Sequence, residues 1–242
     1  MLRIARKVHR WLSYIVFIQV SLWILGGLVF AALPFDSLVK GGALVSPPGK
    51  TALPANWPGL LEQPAAAAAG PVLRVEATSS AQGDLVMVEG EEKTLWLSAA
   101  DGREAPGPSA EQITAYASSI YTGHGHHSTT QYVDDTRYRV LGLVDELYGR
   151  TGVWQANFDD AFNTRLYFDG ATGRYLTVRN DLWVLYDAMW RLHIMDYRGG
   201  EDFNNKLLLV FAVLGAAFAI SGVVLTWQAL RRSTLRRLRP AR

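Results

Sequence analysis

Two stretches of this chain carry no charge, and both are too long for the interior of a small soluble domain. Trp11–Leu33 runs for 23 residues rich in Leu, Ile, Val, Phe and Trp, and Leu207–Trp227 runs for 21. A helix rises about 1.5 Å per residue, so either run covers the roughly 30 Å hydrocarbon core of a bilayer. Uncharged runs above about 18 residues argue for membrane spans, whereas runs of about 10–14 leave a buried core helix open. The basic start of the first run also suits a secretory signal peptide. Its apolar stretch exceeds the usual h-region of about 7–15 residues, and Ala31-Ala32-Leu33 is a poor cleavage site, so a retained anchor is expected.

Charge is distributed unevenly around these runs. Arg3, Arg6, Lys7 and Arg10 precede the first, and Arg231, Arg232, Arg236, Arg237, Arg239 and Arg242 follow the second, with no acid among them. Pro34 to Asp202 holds all 22 acids and 13 bases. The net charge of +2 is therefore the remainder of two opposed populations. Basic flanks stay cytoplasmic, so both termini are expected inside and the middle outside. The basic tail reads first as a stop-transfer flank and second as a contact for anionic headgroups. So small a net charge gives no reason to expect a nucleic-acid partner. Zero Cys excludes a disulfide scaffold, a thiolate zinc site, a Cys nucleophile and covalent haem attachment.

About 170 residues separate the runs, enough for a separate core. The expected fold class is an α+β membrane protein, with two transmembrane helices flanking an extracytoplasmic domain of helix plus antiparallel sheet. The expected organisation is a cytoplasmic flank and first span over 1–34, a Pro/Gly/Ala-rich connector over 35–70, and the domain over 71–180. An amphipathic interfacial helix and turn over 181–202, a second span over 203–230 and a basic tail over 231–242 complete it. Val72–Ala77, Asp84–Val88 and Thr94–Leu97 read as a small meander. Ser109-Ala110-Glu111-Gln112 is a capping box leading into the apolar face Ile113, Tyr116, Ala117 and Ile120. Gln131–Val133, Tyr138–Leu143, Val153–Phe158, Arg165–Phe168 and Tyr175–Val178 are expected strands. Leu95–Arg103 and Leu166–Arg174 echo one another: Leu, aromatic, apolar, two variable residues, Ala, polar, Gly, Arg. The pattern predicts a strand ending in a tight turn with Gly in the left-handed region, and points to a duplicated unit.

These features, in this order, resemble the PepSY-associated transmembrane family over most of the chain. Arg6-Lys7-Val8-His9-Arg10-Trp11-Leu12 is similar to its His-Arg-Trp-Leu signature at the first span. The helix from Ser109 to Tyr121, with strands Trp154–Asp159 and Leu166–Arg174, resembles a PepSY unit ending in an Asp-x-x-Thr-Gly-like turn. Trp190-Arg191-Leu192-His193 matches the Leu-His pair before the next span, and Ile220-Ser221-Gly222-Val223-Val224-Leu225-Thr226-Trp227 its closing motif. The resemblance implies a bacterial inner-membrane protein with a periplasmic central domain. Larger relatives include reductases linked to iron uptake that bind haem b through helix histidines. They carry four or more spans, so a two-span chain would complete such an arrangement as a homodimer or as a subunit of a membrane complex.

The five His fall in three places. His9 lies at the mouth of the first span. It is either an interfacial cap or an axial haem ligand, with Arg6 and Arg10 one turn to either side for propionates. His193 shares a helical face with Leu182, Tyr186 and Met189, again as interfacial packing or as a haem ligand. His9 and His193 would sit on opposite sides of a bilayer, so two haems would each bridge two copies. His124, His126 and His127 in the Gly-flanked loop suit Cu²⁺, Zn²⁺ or Ni²⁺, without a preorganised frame. Asp134-Asp135, Asp145-Glu146 and Asp159-Asp160 could bind a cation, but they read first as solvated turns. No Gly-x-Ser-x-Gly, His-Glu-x-x-His, Walker or Gly-x-Gly-x-x-Gly motif occurs. The expected function is transmembrane electron transfer through haem b in a membrane oxidoreductase. The alternative is a non-catalytic PepSY membrane protein that binds or restrains a periplasmic partner.

Overall fold

The computed structural model describes residues 2–49, 51–135 and 138–237; Arg239 and Arg242 of the basic tail lie outside the described residues. A long first helix, α1 (Leu2–Ala32), is followed by short helices α2 (Trp57–Leu61) and α3 (Pro64–Ala67). Strands β1 (Val72–Ser80), β2 (Gly83–Gly90) and β3 (Thr94–Ser98) lead to helix α4 (Ala110–Ile120). Then come β4 (His127–Val133), β5 (Tyr138–Arg139), β6 (Val144–Asp145), β7 (Val153–Phe158), β8 (Arg165–Asp169) and β9 (Tyr175–Arg179). Helices α5 (Asp181–Ile194) and α6 (Lys206–Arg237) close the chain. The chain divides into a helical unit, Met1–Ala32 with Tyr186–Arg242, and a sheet unit, Leu33–Leu185. The α+β class is as expected: two apolar terminal helices flank a sheet-containing unit.

In the helical unit, the sheltered positions of α1 include Ala5, His9, Leu12, Val16, Gln19, Trp23, Gly26 and Phe30. Those of α6 include Leu208, Phe211, Gly215, Phe218, Gly222 and Leu225. Both series repeat every seven residues, the pattern that keeps one seam facing a partner helix at a shallow crossing angle. His9 meets Phe218 and Ser221 while Trp23 lies opposite Gly215, so α1 and α6 run antiparallel. Their other faces expose Phe17, Ile18, Leu28, Leu209, Val213, Ile220, Val223 and Trp227. Arg3–Ala32 and Lys206–Arg232 are long and apolar enough to cross a membrane, with only 17% and 0% of their most apolar windows buried. The core helix of a soluble protein buries most of such a window; these two leave theirs open, as a span facing lipid would.

The sheet unit contains two meanders. In the first, β1, β2 and β3 pair antiparallel in sequence order, and Leu60, Ala66, Ala69, Val86, Val88, Leu95 and Leu97 form its core. In the second, the order is β4-β7-β8-β9, all antiparallel. Strand alternation sorts its side chains. Ala156, Phe158, Leu166, Phe168 and Val178 meet Ile113, Ala117 and Ile120 of α4 on one face. Val153 and Tyr167 meet Val133 and Leu147 on the other. Helix α4 starts as the sequence predicts: Ser109 and Gln112 make a reciprocal capping box.

The echo is structural as well as textual. The Gly102 amide donates to Ser98 O at 2.9 Å and the Gly173 amide to Asp169 O at 2.8 Å. The Ser98 amide donates to Arg103 O at 2.8 Å and the Asp169 amide to Arg174 O at 2.9 Å. Both glycines have φ of 71°. Each copy is thus a helical segment followed by three antiparallel strands and the same closing turn, after which the second copy adds a fourth strand, β9. They differ also at one connection. Strands β1 and β2 join through a tight turn, whereas residues 134–152 intervene between β4 and β7.

Two expectations change. Residues 35–70 do more than connect: Val39, Leu44 and Val45 are buried, and Leu60, Ala66 and Ala69 complete the first meander's core. The strand expected over Tyr138–Leu143 stops at Arg139, because Val140, Leu141 and Gly142 take φ of 49°, 56° and 79° and cannot stay extended.

Candidate functional site

The His residues of the helical unit occupy two separate packing sites. His9 Nδ1 lies 2.9 Å from Ser221 Oγ and 3.3 Å from Phe218 O, and its ring stacks on Phe218 at 4.4 Å. The Ser221 hydroxyl donates its one proton to Phe218 O at 2.8 Å. Its oxygen therefore accepts from His9, which assigns the proton to Nδ1 and leaves Nε2 with a lone pair. Gly222 gives the ring its place: a Cβ there would stand 3.2 Å from Cε1. Arg6, one turn before His9, and Arg10, the residue after it, are exposed.

His193 sits near the end of α5, among Trp23, Phe30 and Trp190 at ring separations of 6.2, 5.6 and 6.3 Å. Its Nδ1 is buried without a hydrogen-bond partner, 3.7 Å from where a Gly26 side chain would begin. A helix ending against an apolar helix must satisfy its last carbonyls from side chains. Gln19 donates to Leu192 O at 3.0 Å, Trp23 to His193 O at 2.7 Å and Asn205 to Ile194 O at 2.8 Å. Met195, with φ 57°, turns the chain out of the helix. Arg191, 1% exposed, is held by Asp187 at 2.6 Å and donates to Arg198 O. His9 and His193 touch α1 about 17 residues apart, or about 25 Å, so they share no site within one chain.

In the sheet unit, the three loop His do not converge. His127 Nε2 contacts Thr130 Oγ1 at 2.8 Å and its ring edge meets Phe158, while His124 and His126 are exposed. Among the described residues, no three His, Asp or Glu side chains gather in a way that could hold a metal ion. Asp159-Asp160 organises this loop instead. The Asp159 carboxylate accepts from the His126 amide. Asp160 accepts from the Tyr121 hydroxyl at 2.8 Å, the Thr164 hydroxyl at 2.6 Å and the amides of Phe162 and Thr164. Burial works against the Asp160 charge, but these bonds hold its carboxyl below the ordinary value. Burial, then the carboxylate acceptor, pushes Tyr121 up to about 12.

Beside this loop, an open groove of about 510 Å³ runs between α4 and β4, lined by Glu111, Thr114, Ala115, His127, Thr129 and Thr130. Thr114 Oγ1 and Thr130 Oγ1 join its walls at 2.7 Å. Among the described residues, strand β4 pairs only with β7, so its other edge is free of a neighbouring strand.

The pair Asp145-Glu146, expected as a solvated turn, is buried. Glu146 is 0% exposed and takes Arg165 at 2.8 Å, Arg139 at 3.4 Å and the Tyr167 hydroxyl. Arg165 also reaches Asp181 at 3.0 Å. Asp145 accepts the amides of Leu147 and Gly149 at 3.0 and 2.6 Å. Burial and then the Glu146 charge raise Tyr167, keeping the phenol protonated. The sequence signal was Arg165 alternating with Tyr167 on one face of a strand whose other face is apolar, since an inward Arg needs an acid. A second pocket, of about 660 Å³, opens beside this network, lined by Tyr148, Arg150, Thr177 and Arg179 among others.

A free strand edge along a helix-walled groove can accept an extended chain; a fixed imidazole with an open Nε2 can take a proton or a metal. Comparison of the chain with models of known protein families, with curated proteins and with solved structures finds no match.

Proposed function

We propose that this chain is a two-pass inner-membrane protein of PepSY type whose extracytoplasmic sheet unit binds an extended segment of a periplasmic protein partner. The observation that carries this reading is the free edge of β4, open along the groove with α4. An edge strand presents a row of unpaired N–H and C=O groups, and an added strand satisfies them while alternate side chains enter the groove. Thr114, Thr129, Thr130 and His127 offer a polar lining, so selectivity would rest on side-chain hydrogen bonds as well as apolar contact. On its other side β4 stays paired with β7 from His127 to Val133, through one register shift between His127 and Thr129.

Selection of peptides against the full chain in nanodiscs tests this reading. Selected peptides bind the parent chain and lose about tenfold or more in affinity, about 1.4 kcal/mol, to Thr114→Arg, which fills the groove. Peptides that bind both equally would contradict it.

His9 favours a second reading, electron transfer through haem b. A ligating imidazole needs its other nitrogen held by an acceptor, as Ser221 holds His9 Nδ1. Arg6 and Arg10 suit propionates, and bound haem would supply one-electron chemistry. His193 fits this role less well, because Trp190, Phe30 and the Gly26 backbone already surround its ring. The second axial ligand would have to come from another copy or a partner. A reduced-minus-oxidised spectrum decides: a b-type signal lost in His9→Ala supports this reading, and protein without Soret absorption after haem-replete expression excludes it.

A further inference from the structure

Residues 134–152 are an addition to the second meander that the first does without, and they carry their own strand pair, β5 with β6. Its base is locked. Val144 and Leu147 are buried, Asp145 caps two amides, and Glu146 is paired with Arg165. Its tip is the reverse. Leu141 is 99% exposed, and Tyr138, Val140 and Tyr148 are also among the exposed large apolar residues. Val140, Leu141 and Tyr148 all have positive φ, an unusual conformation for non-glycine residues and above all for a β-branched one. Such a backbone is strained, and the fold gains no buried contact from the side chain it displays at Leu141.

Arg139 and Arg150 are exposed, and Arg150 and Arg179 line one pocket with Tyr148. Arg139 shares the buried Glu146 with Arg165, at 3.4 and 2.8 Å, while Asp134 and Asp135 stand at the root of the segment. Arg179 lies over Trp183 at 4.1 Å and Tyr148 packs edge-on against the same ring. Trp183 is two residues from Leu185, where the sheet unit ends.

We propose that the 134–152 segment is a membrane-surface anchor. Leu141 and Val140 enter the apolar edge of the outer leaflet, Tyr138 and Tyr148 sit at headgroup level, and Arg150 binds a phospholipid phosphate. Exposed aliphatic tips, tyrosines and arginines in this arrangement match the layers of a bilayer interface. A bilayer is the occupant that the chain itself brings within reach, through two helices able to cross one. The inference rests on the two-pass membrane reading above and is independent of the β4 groove.

The chain has no cysteine, so one introduced thiol reports one position. Nitroxide-labelled Leu141→Cys, in the full chain reconstituted into phosphatidylethanolamine/phosphatidylglycerol vesicles, is compared with Ile18→Cys in α1 and Glu92→Cys in the β2–β3 turn. At position 141, collision with oxygen exceeds collision with a water-soluble nickel chelate, as at 18, and nickel access is several-fold below that at 92. Adding Arg150→Glu restores nickel access. A label at 141 that reads like 92 while 18 reads as lipid overturns the anchor and leaves the membrane reading intact. If 18 also reads as aqueous, the membrane reading fails. A label at 141 sheltered from both oxygen and nickel indicates protein packing and likewise overturns the anchor, as does indifference to Arg150→Glu.

Discussion

Glu146 joins three segments at one point. It comes from the inserted loop, Arg165 and Tyr167 from β8, and Asp181 extends the network to the start of α5. A buried pair of this kind is weak evidence for net stability, but breaking it leaves a buried charge unpaired. Glu146→Gln is therefore expected to destabilise the sheet unit by about 3–5 kcal/mol in urea titrations, because Arg165 loses its buried counter-ion and keeps the half-exposed Asp181 alone. A loss below about 1 kcal/mol would show that water reaches the site. Asp196 gives the clearest pH dependence. Burial opposes its charge more than any one bond favours it, but together the amides of Asp202, Gly199, Arg198 and Glu201 hold its carboxyl down to about 2. A depressed carboxyl stabilises the fold above its unfolded value, and that contribution is lost as pH falls through the folded one. Amide exchange over Arg198–Asp202, corrected for intrinsic rates, should accelerate between about pH 4 and pH 2, as Asp196 loses its charge. Flat protection across that range would contradict the assigned role.

At the scale of elements, helix α5 shows how an apolar environment is made tolerable. Three side chains from two other segments close its carbonyl end. Gln19→Leu keeps the volume but leaves Leu192 O unsatisfied, at an expected cost of about 1–3 kcal/mol. A lowered midpoint in detergent thermal melts checks it, and an unchanged midpoint would mean another donor takes over. Gln19 was legible in the sequence only as a polar residue able to hydrogen-bond between helices, because its acceptor lies 173 residues away. Local signals were legible in full. The capping box at Ser109, the echo with its two left-handed glycines, and most strands of the second meander follow from spacing and turn chemistry alone. The tip at Val140-Leu141 was not, since nothing in its composition forbids an extended strand.

For the whole molecule, the two uncharged runs fixed the architecture, and the separated charges fixed the expected orientation. The acidic pairs misled. A solvated turn and a buried ion pair have the same local sequence, and only the strand opposite distinguishes them, as Arg165 does for Glu146. The groove between α4 and β4 was equally hidden, because a free edge is a property of sheet order and not of any one strand. The proposed function depends on that edge accepting another chain. Hydrogen exchange of the full chain in nanodiscs, with and without a selected peptide, tests it most directly. Strand addition predicts that protection gained on binding concentrates in the amides of His127–Val133, with little change across 138–150. Protection that appears elsewhere while β4 exchanges as before would contradict it.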